Sequence, residues 1–308
     1  MKIRSLIGLW FGIAALACTA SAQVSFTGSY TQNFDSMGTA GTTAPTGWAV
    51  YSLSGSHDTF SYAGSDSSIT TTFLANSSSN AIVVGTGNSI TSEPTLVAHS
   101  VSSSSTYDGT TGYNFASSGN TGDRSLGSSP SGNAATELQV SLVNNTSGSL
   151  SGLYISYDID RFTTTTANNS AYTASDPNYG VEECPGYWLF FSLDNGTSWT
   201  NVNALNPTLT GANGTIAVPN TTGTTSIPTT QFSLQSTWGS AVNTWAPGST
   251  LDLRWIDDNA QSPSPDQLLG LNNVDITEAV PEPGSRALLG VASVAGLLAS
   301  RKRRHSGV

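Results

Sequence analysis

"LYISYDIDRF", residues 153–162, alternates large apolar with short polar side chains, and this period of two decides the fold class. Successive side chains of an extended strand point to opposite faces. Leu153, Ile155, Tyr157 and Ile159 therefore share one face, and Tyr154, Ser156, Asp158 and Asp160 the other. Downstream, "LDLRWI" repeats the pattern, with Leu251, Leu253 and Trp255 opposite Asp252, Arg254 and Ile256. "ELQVSLV" from Glu137 and "NNVDIT" from Asn272 read as further strands, and "YWLFFSL" from Tyr187 carries apolar residues on both faces. Asp158 and Asp160 are expected to face solvent and to pair with Arg161 or with Arg254 from a neighbouring strand. Several such strands separated by turn signals predict an all-β, antiparallel, jelly-roll-like β-sandwich, in one large unit or two smaller ones.

Composition points the same way. Only 10% of the 308 residues are charged, and Ser, Thr, Asn and Gly fill the space that Lys and Glu usually occupy. Runs such as "SDSSITTTFLANSSSN", residues 65–80, favour strands and turns over helices. Between residues 23 and 280 there are nineteen acidic side chains against Arg124, Arg161 and Arg254, a formal charge of −16. Such a body repels nucleic acid and anionic lipid, which leaves cations and neutral glycans as partners.

The two ends have a different character. Lys2 and Arg4, the apolar "LIGLWFGIAALA" from Leu6 to Ala17, and the small residues Ala20 to Ala22 predict a signal peptide, residues 1–22, cut by signal peptidase before Gln23. The rivals are an uncleaved anchor or a lipidated Cys18, but the apolar run is short for a span. If Cys18 leaves with the leader, Cys184 stands alone between Glu183 and Pro185, where neighbouring carboxylates disfavour its thiolate. A packed, unreactive thiol is the expectation there.

At the other end, Pro281, Glu282 and Pro283 precede Ala287–Ser300, fourteen uncharged residues that as a helix would span about 21 Å. Arg301, Lys302, Arg303 and Arg304 follow and predict a cytoplasmic flank, with residues 305–308 as a cytoplasmic tail and the acidic body outside. This order resembles the PEP-CTERM sorting signal of Gram-negative bacterial surface proteins, and the resemblance covers residues 280–304. It implies that the protein is a substrate of the membrane enzyme exosortase, with a membrane-bound intermediate before release to the cell surface or extracellular matrix. The motif implies no catalytic residue in this chain. The body between the two signals is residues 23–279.

Within the body, "YWLFFSLDNGTSWTNV" joins two strands through Asp194-Asn195-Gly196, a turn whose Asn-Gly step accepts positive backbone dihedrals. Ser192, Asp194, Gly196, Ser198 and Trp199 resemble the Asp-box of sialidases and other secreted β-proteins. That resemblance implies a folding unit in which the Asp caps turn amides and the Trp packs beneath. The ends of the body, "YTQNFDSMGTAGTTAPTGWAVY" from Tyr30 and "LRWIDDNAQSPSPDQLLGLNNVDIT" from Leu253, resemble secreted lectin-like sandwich modules that open on "NFDS…GW" and close on "LRW…D…DNV". Here the closing triplet is Asn272-Asn273-Val274, which removes an aspartate from any metal site implied there.

Candidate chemistry is sparse. Asp257, Asp258, Asn259 and Asp266 crowd one loop with oxygen ligands suited to calcium but without EF-hand spacing, the alternative being a solvated acidic loop. No other cofactor is implied. Histidine occurs only at 57, 99 and 305, and neither HExxH nor a G-x-S-x-G elbow is present. A glycosidase would need two converging carboxylates, with Glu93, Glu137, Glu182 and Glu183 as candidates. Trp238 and Trp245, in the polar stretch "STWGSAVNTWAPGS", and Trp48 are candidates for stacking on sugar rings, with burial in the core as the competing fate. Two functions remain: a non-catalytic, exosortase-sorted surface or matrix protein associated with exopolysaccharide, or a secreted glycan hydrolase using a carboxylate pair.

Overall fold

The structure, a computed structural model, describes residues 23–54, 81–82, 90–91, 97–99, 111–117, 120–130, 134–164, 186–208, 216–219, 221–234, 244–257 and 267–279. Strands are numbered in chain order. Sheet I runs, edge to edge, β4 (Ala81–Ile82), β12 (Trp199–Asn201), β11 (Trp188–Ser192), β16 (Thr250–Asp257), β9 (Ala134–Asn144), β3 (Trp48–Ser54) and β5 (Ile90–Thr91), with β1 (Val24–Phe26) also on β9. Sheet II runs β15 (Gly223–Ser233), β10 (Gly152–Arg161), β17 (Leu269–Glu278), β8 (Asn120–Ser128), β7 (Tyr113–Ser117) and β6 (Val97–His99), with β2 (Ser29–Gln32) also on β17. A short parallel pair, β13 (Pro207–Thr208) and β14 (Ile216–Ala217), lies apart. Most other pairings are antiparallel, and helical structure among the described residues is limited to two 3-10 turns, Asp35–Met37 and Asn203–Leu205. The described residues form an all-β sandwich.

Alternation builds its core. Phe191, Leu253, Val140 and Trp48 lie directly opposite one another across four strands of sheet I. On sheet II, Phe232 faces Leu153, Ile155 faces Ile276, and Ile159 faces Leu271. These inward rows merge into one hydrophobic cluster. Its aromatic bridge runs from Trp48 stacked on Trp255, ring centroids 5.4 Å apart, to the edge of Tyr157 on sheet II at 5.8 Å. Burial of each such side chain contributes about 1.5–3 kcal/mol against the entropy of ordering the chain.

From β8 onward the chain alternates sheets: β8 in II, β9 in I, β10 in II, β11 and β12 in I, β15 in II, β16 in I, β17 in II. Two irregularities mark where this wiring is adjusted. Thr230 pairs with Ile155 and Ile227 with Tyr157, so Pro228 falls in a bulge of edge strand β15, where its missing N–H costs no ladder bond. On β17, Asn273 adopts the left-handed conformation (φ 48°) at a second bulge, held by its amide donating to Asp158 at 2.8 Å. There β17 exchanges β8 for β2 as its second neighbour.

The sandwich has two distinct ends. At one, the corner between β1 and β2 passes from sheet I to sheet II through Gly28 (φ 114°), whose carbonyl accepts from Glu278 N at 2.9 Å. Ala279 N donates to Gly152 O nearby, so the body begins and finishes at the same end. Ser54, Ser128, Arg161 and Asp257, the last residues of β3, β8, β10 and β16, lie at the other.

Candidate functional site

The hairpin between β11 and β12 closes on itself. Ser192 Oγ donates to Asp194 Oδ1 at 2.7 Å and accepts from Gly196 N at 2.8 Å. Ser198 donates to the same carboxylate twice, from its backbone N at 2.9 Å and from Oγ at 2.6 Å. Asn195 (φ 57°) and Gly196 (φ 77°) both take the left-handed conformation, and the Trp199 indole donates to Gly196 O at 3.1 Å. Burial pushes the Asp194 carboxyl up, but the hydrogen bonds from Ser198, Ser192 and Thr197 outweigh it and leave the group below its ordinary value. All five residues read from the sequence as one unit are brought together, and their polar atoms are directed at one another.

Beneath this hairpin, the outward side of sheet I carries a buried polar tract that alternation alone did not reveal. Arg254 NH1 lies 2.8 Å from Glu137 Oε2, and Arg254 Nε and NH2 both donate to Gln139 Oε1. The guanidinium lies over the Trp199 ring at 4.1 Å from its centroid and near Tyr51 at 5.3 Å. Asp252 accepts from Ser141 and from Gln139. Burial holds the carboxyls of Glu137 and Asp252 above their ordinary values, opposed in Glu137 by Arg254 and in Asp252 by the Ser141 hydrogen bond and Arg254. Asp252 pairs with Ser141, four residues along β9 from Glu137, so the two backbones stand about 14 Å apart with Arg254 and Gln139 between them. One guanidinium thus stands between two carboxyl groups, one paired with it and the other hydrogen-bonded by Ser141 and Gln139. The expected pairing of Arg254 with Asp158 or Asp160 is corrected: Arg254 belongs to the other sheet, while Asp158 bonds Asn273 and Asp160, buried rather than solvent-facing, accepts from Thr224.

A second polar node ties the sheets together at the end opposite Gly28 and Glu278. The Ser128 hydroxyl on β8 donates to Asp257 Oδ2 at the end of β16 and shares a 2.8 Å hydrogen bond with the Tyr187 hydroxyl; Gln267 Nε2 donates to Asp257 Oδ1 at 3.0 Å. All four side chains are fully buried. Asp257, read as a calcium ligand, thus has both carboxylate oxygens engaged by protein donors. Asp258, Asn259 and Asp266 lie outside the described residues, among which no group of three or more His, Cys, Asp or Glu is arranged to hold a metal ion.

Trp245, read as a sugar-stacking candidate, is instead core: it is fully buried, packs against Phe26 at 5.0 Å and donates its indole N–H to Ser249 O. Trp48 is likewise buried. Burial, the competing fate weighed for Trp245, is the one observed: Asn144 and Leu150 bond its backbone, Ser249 N bonds Ala246 O, and the ring enters the core. Trp238, Cys184, His57, Glu93, Glu182, Glu183, the Pro281-Glu282-Pro283 motif and the basic residues Arg301 to Arg304 lie outside the described residues. Among the described residues no helix is long and apolar enough to cross a membrane.

One open cleft, of about 690 Å³, lies on the flank where β1 leaves sheet I and β2 enters sheet II. Its walls come from both strands, from the 3-10 turn Asp35–Met37 and from residues 43–46. The "NFDS" stretch shapes one wall. Phe34 is fully buried in the left-handed conformation (φ 61°), its N–H donating to Gln32 Oε1 at 2.7 Å and its ring meeting Trp48 edge-on. Asp35 Oδ1 accepts from Arg124 N, while Arg124, buried and donating to Asn114, anchors the turn on sheet II. Tyr30 is fixed by Trp48 Nε1, which donates to its hydroxyl at 2.6 Å; burial raises that phenol above its ordinary value, against the hydrogen bonds with Trp48 and Gln32.

No family profile matches this chain, and no curated protein matches it.

Proposed function

We propose that the protein is exported and sorted by exosortase to the cell surface or extracellular matrix, where its lectin-like, jelly-roll-type sandwich associates with exopolysaccharide without catalysing a reaction. The observation that carries this reading is where the sandwich starts and stops. β1 begins at Val24, next to the expected cleavage before Gln23, and β17 ends at Glu278, three residues before Pro281. The first and last strands are hydrogen-bonded at the same end of the body, so the described sandwich closes before the proposed sorting residues begin. The alternation of strands between sheets is the wiring expected of a jelly roll. A non-catalytic role is supported by the carboxylates: Glu137, Asp194, Asp252 and Asp257 are each tied to partners within the fold.

The test is replacement of Arg301, Lys302, Arg303 and Arg304 by neutral residues, followed by fractionation of cells and medium. Loss of the charge asymmetry should shift the protein out of the processed surface fraction. Unchanged processing and location in that variant, and in a Pro281→Ala, Glu282→Ala variant, would sink the reading.

A further inference from the structure

We propose that the cleft between β1, β2 and residues 43–46 is a binding site for a neutral, hydroxyl-rich glycan segment, an inference that rests on the exopolysaccharide reading above and gives it a location. The first argument is charge. The body carries a formal charge of −16, yet none of the side chains lining this cleft is charged, and the expected cleavage adds only the α-amino group of Gln23 at its edge. An anionic ligand would meet no cationic side chain there and an unfavourable field around it; a cation would find no carboxylate among the lining side chains.

The second argument is the mixture of surfaces. Ser36, Thr43 and Thr46 contribute hydroxyls able to donate and accept, Gln32 contributes an amide whose oxygen already accepts from Phe34 N, and Tyr30 and Pro45 bring rings to the same lining. A pyranose presents the same mixture, with C–H faces for an aromatic ring and hydroxyls around its edge. The volume lies within the range of small-ligand sites, and the open mouth allows a chain to enter and leave.

The third argument is preorganisation. Tyr30 is held through its hydroxyl by Trp48, whose own ring is locked between Phe34 and Trp255, so the phenol has little freedom to lose on binding. Phe34, a bulky residue in the left-handed region, carries backbone strain that packing must hold in place. That strained residue sets the direction of the chain between Gln32 and Ser36, both of which line the cleft.

The experiment is calorimetric titration of the full-length protein, in mild detergent, with neutral gluco-, manno- and galacto-oligosaccharides of three to six units. At least one should bind, with an affinity that changes less than twofold between low and high salt. Thr43→Trp, an exposed substitution that fills the cleft, should abolish binding, and Tyr30→Ala should weaken it at least tenfold; circular dichroism confirms that each variant is folded. Binding that survives Thr43→Trp unchanged would overturn the cleft and leave polysaccharide association standing. Absence of binding to every oligosaccharide overturns the cleft assignment. If the protein also fails to co-sediment with exopolysaccharide, the functional reading falls with it.

Discussion

Strand β16 inside sheet I and strand β15 at the edge of sheet II are written in the same period-two code, yet their outward faces differ. On β15, at the edge of sheet II, only Ile227 and Phe232 are buried, and the residues between them are exposed or half-exposed. On β16 in sheet I, seven of eight residues are buried, including Asp252, Arg254 and Ile256 on the side turned away from the core. Alternation therefore assigns side chains to a face but leaves open whether that face meets water. Where it does, polar residues are satisfied by solvent. Where it does not, they turn to one another: Gln139, Ser141, Asp252 and Arg254 are joined by hydrogen bonds, and Glu137 is held to Arg254 as an ion pair without a hydrogen bond.

Breaking that set tests the contrast most severely. Arg254→Ala removes the cation from buried Glu137 and the donor from Gln139, and should cost about 3–5 kcal/mol in urea unfolding at neutral pH. A loss below 1 kcal/mol would mean the outward face of sheet I is wetter than described. At the rim of the same face, Gly196→Val places a β-branched residue at φ 77° with its Cβ about 3.4 Å from the Trp199 ring. It should cost about 1–3 kcal/mol, and a variant that melts like the parent would contradict the turn geometry.

The buried carboxyls give the contrast a pH signature. Burial raises Glu137 above 4.5, opposed by Arg254, so the native state keeps a proton that the unfolded chain has already released. Stability contributed by this group is then present below 4.5 and is lost as pH rises from there through the folded value. Glu137→Gln should flatten that decline, measured as urea midpoints from pH 4 to 8, leaving the part due to Asp252, which is raised by burial in the same direction. A steeper decline in the variant would reverse the assigned sign. The smallest effect is expected on sheet II. Asp158→Ala deletes one hydrogen bond to the exposed Asn273 and should cost at most about 1 kcal/mol, and a larger loss would make this exposed position as sensitive as the buried tract on β16.

How much was legible follows from the range of each interaction. The strands at 153–161, 251–256 and 137–143 were readable because alternation is local, as was the hairpin, whose five motif residues fall within eight positions. Asn272-Asn273 was read as a departure from a metal-site pattern. The structure gives it another role, a left-handed bulge, for which the tolerance of Asn for positive φ was the available signal. Phe34 offered no such signal, because a bulky residue enters that conformation only when packing compels it. Arg254 was assigned a partner in the wrong sheet, since its true partner Glu137 is 117 positions away and acidic residues are plentiful. The bond between Ser128 and Asp257 spans 129 positions and was invisible for the same reason.

The sequence by itself determined that the body is built of strands, which side chains travel together on each strand, where one hairpin turns, and that an acidic, lysine-free body lies between two ends of different composition. Those properties depend on neighbours within a few residues and on summed charge. The tertiary structure decided which polar faces lie buried, that Trp245 serves the core, that Asp257 ties two sheets, and that an uncharged cleft opens beside β1 and β2. Each of these depends on strands distant in the chain being brought to within hydrogen-bond or van der Waals distance, and a local pattern carries no record of which distant strand will supply the partner.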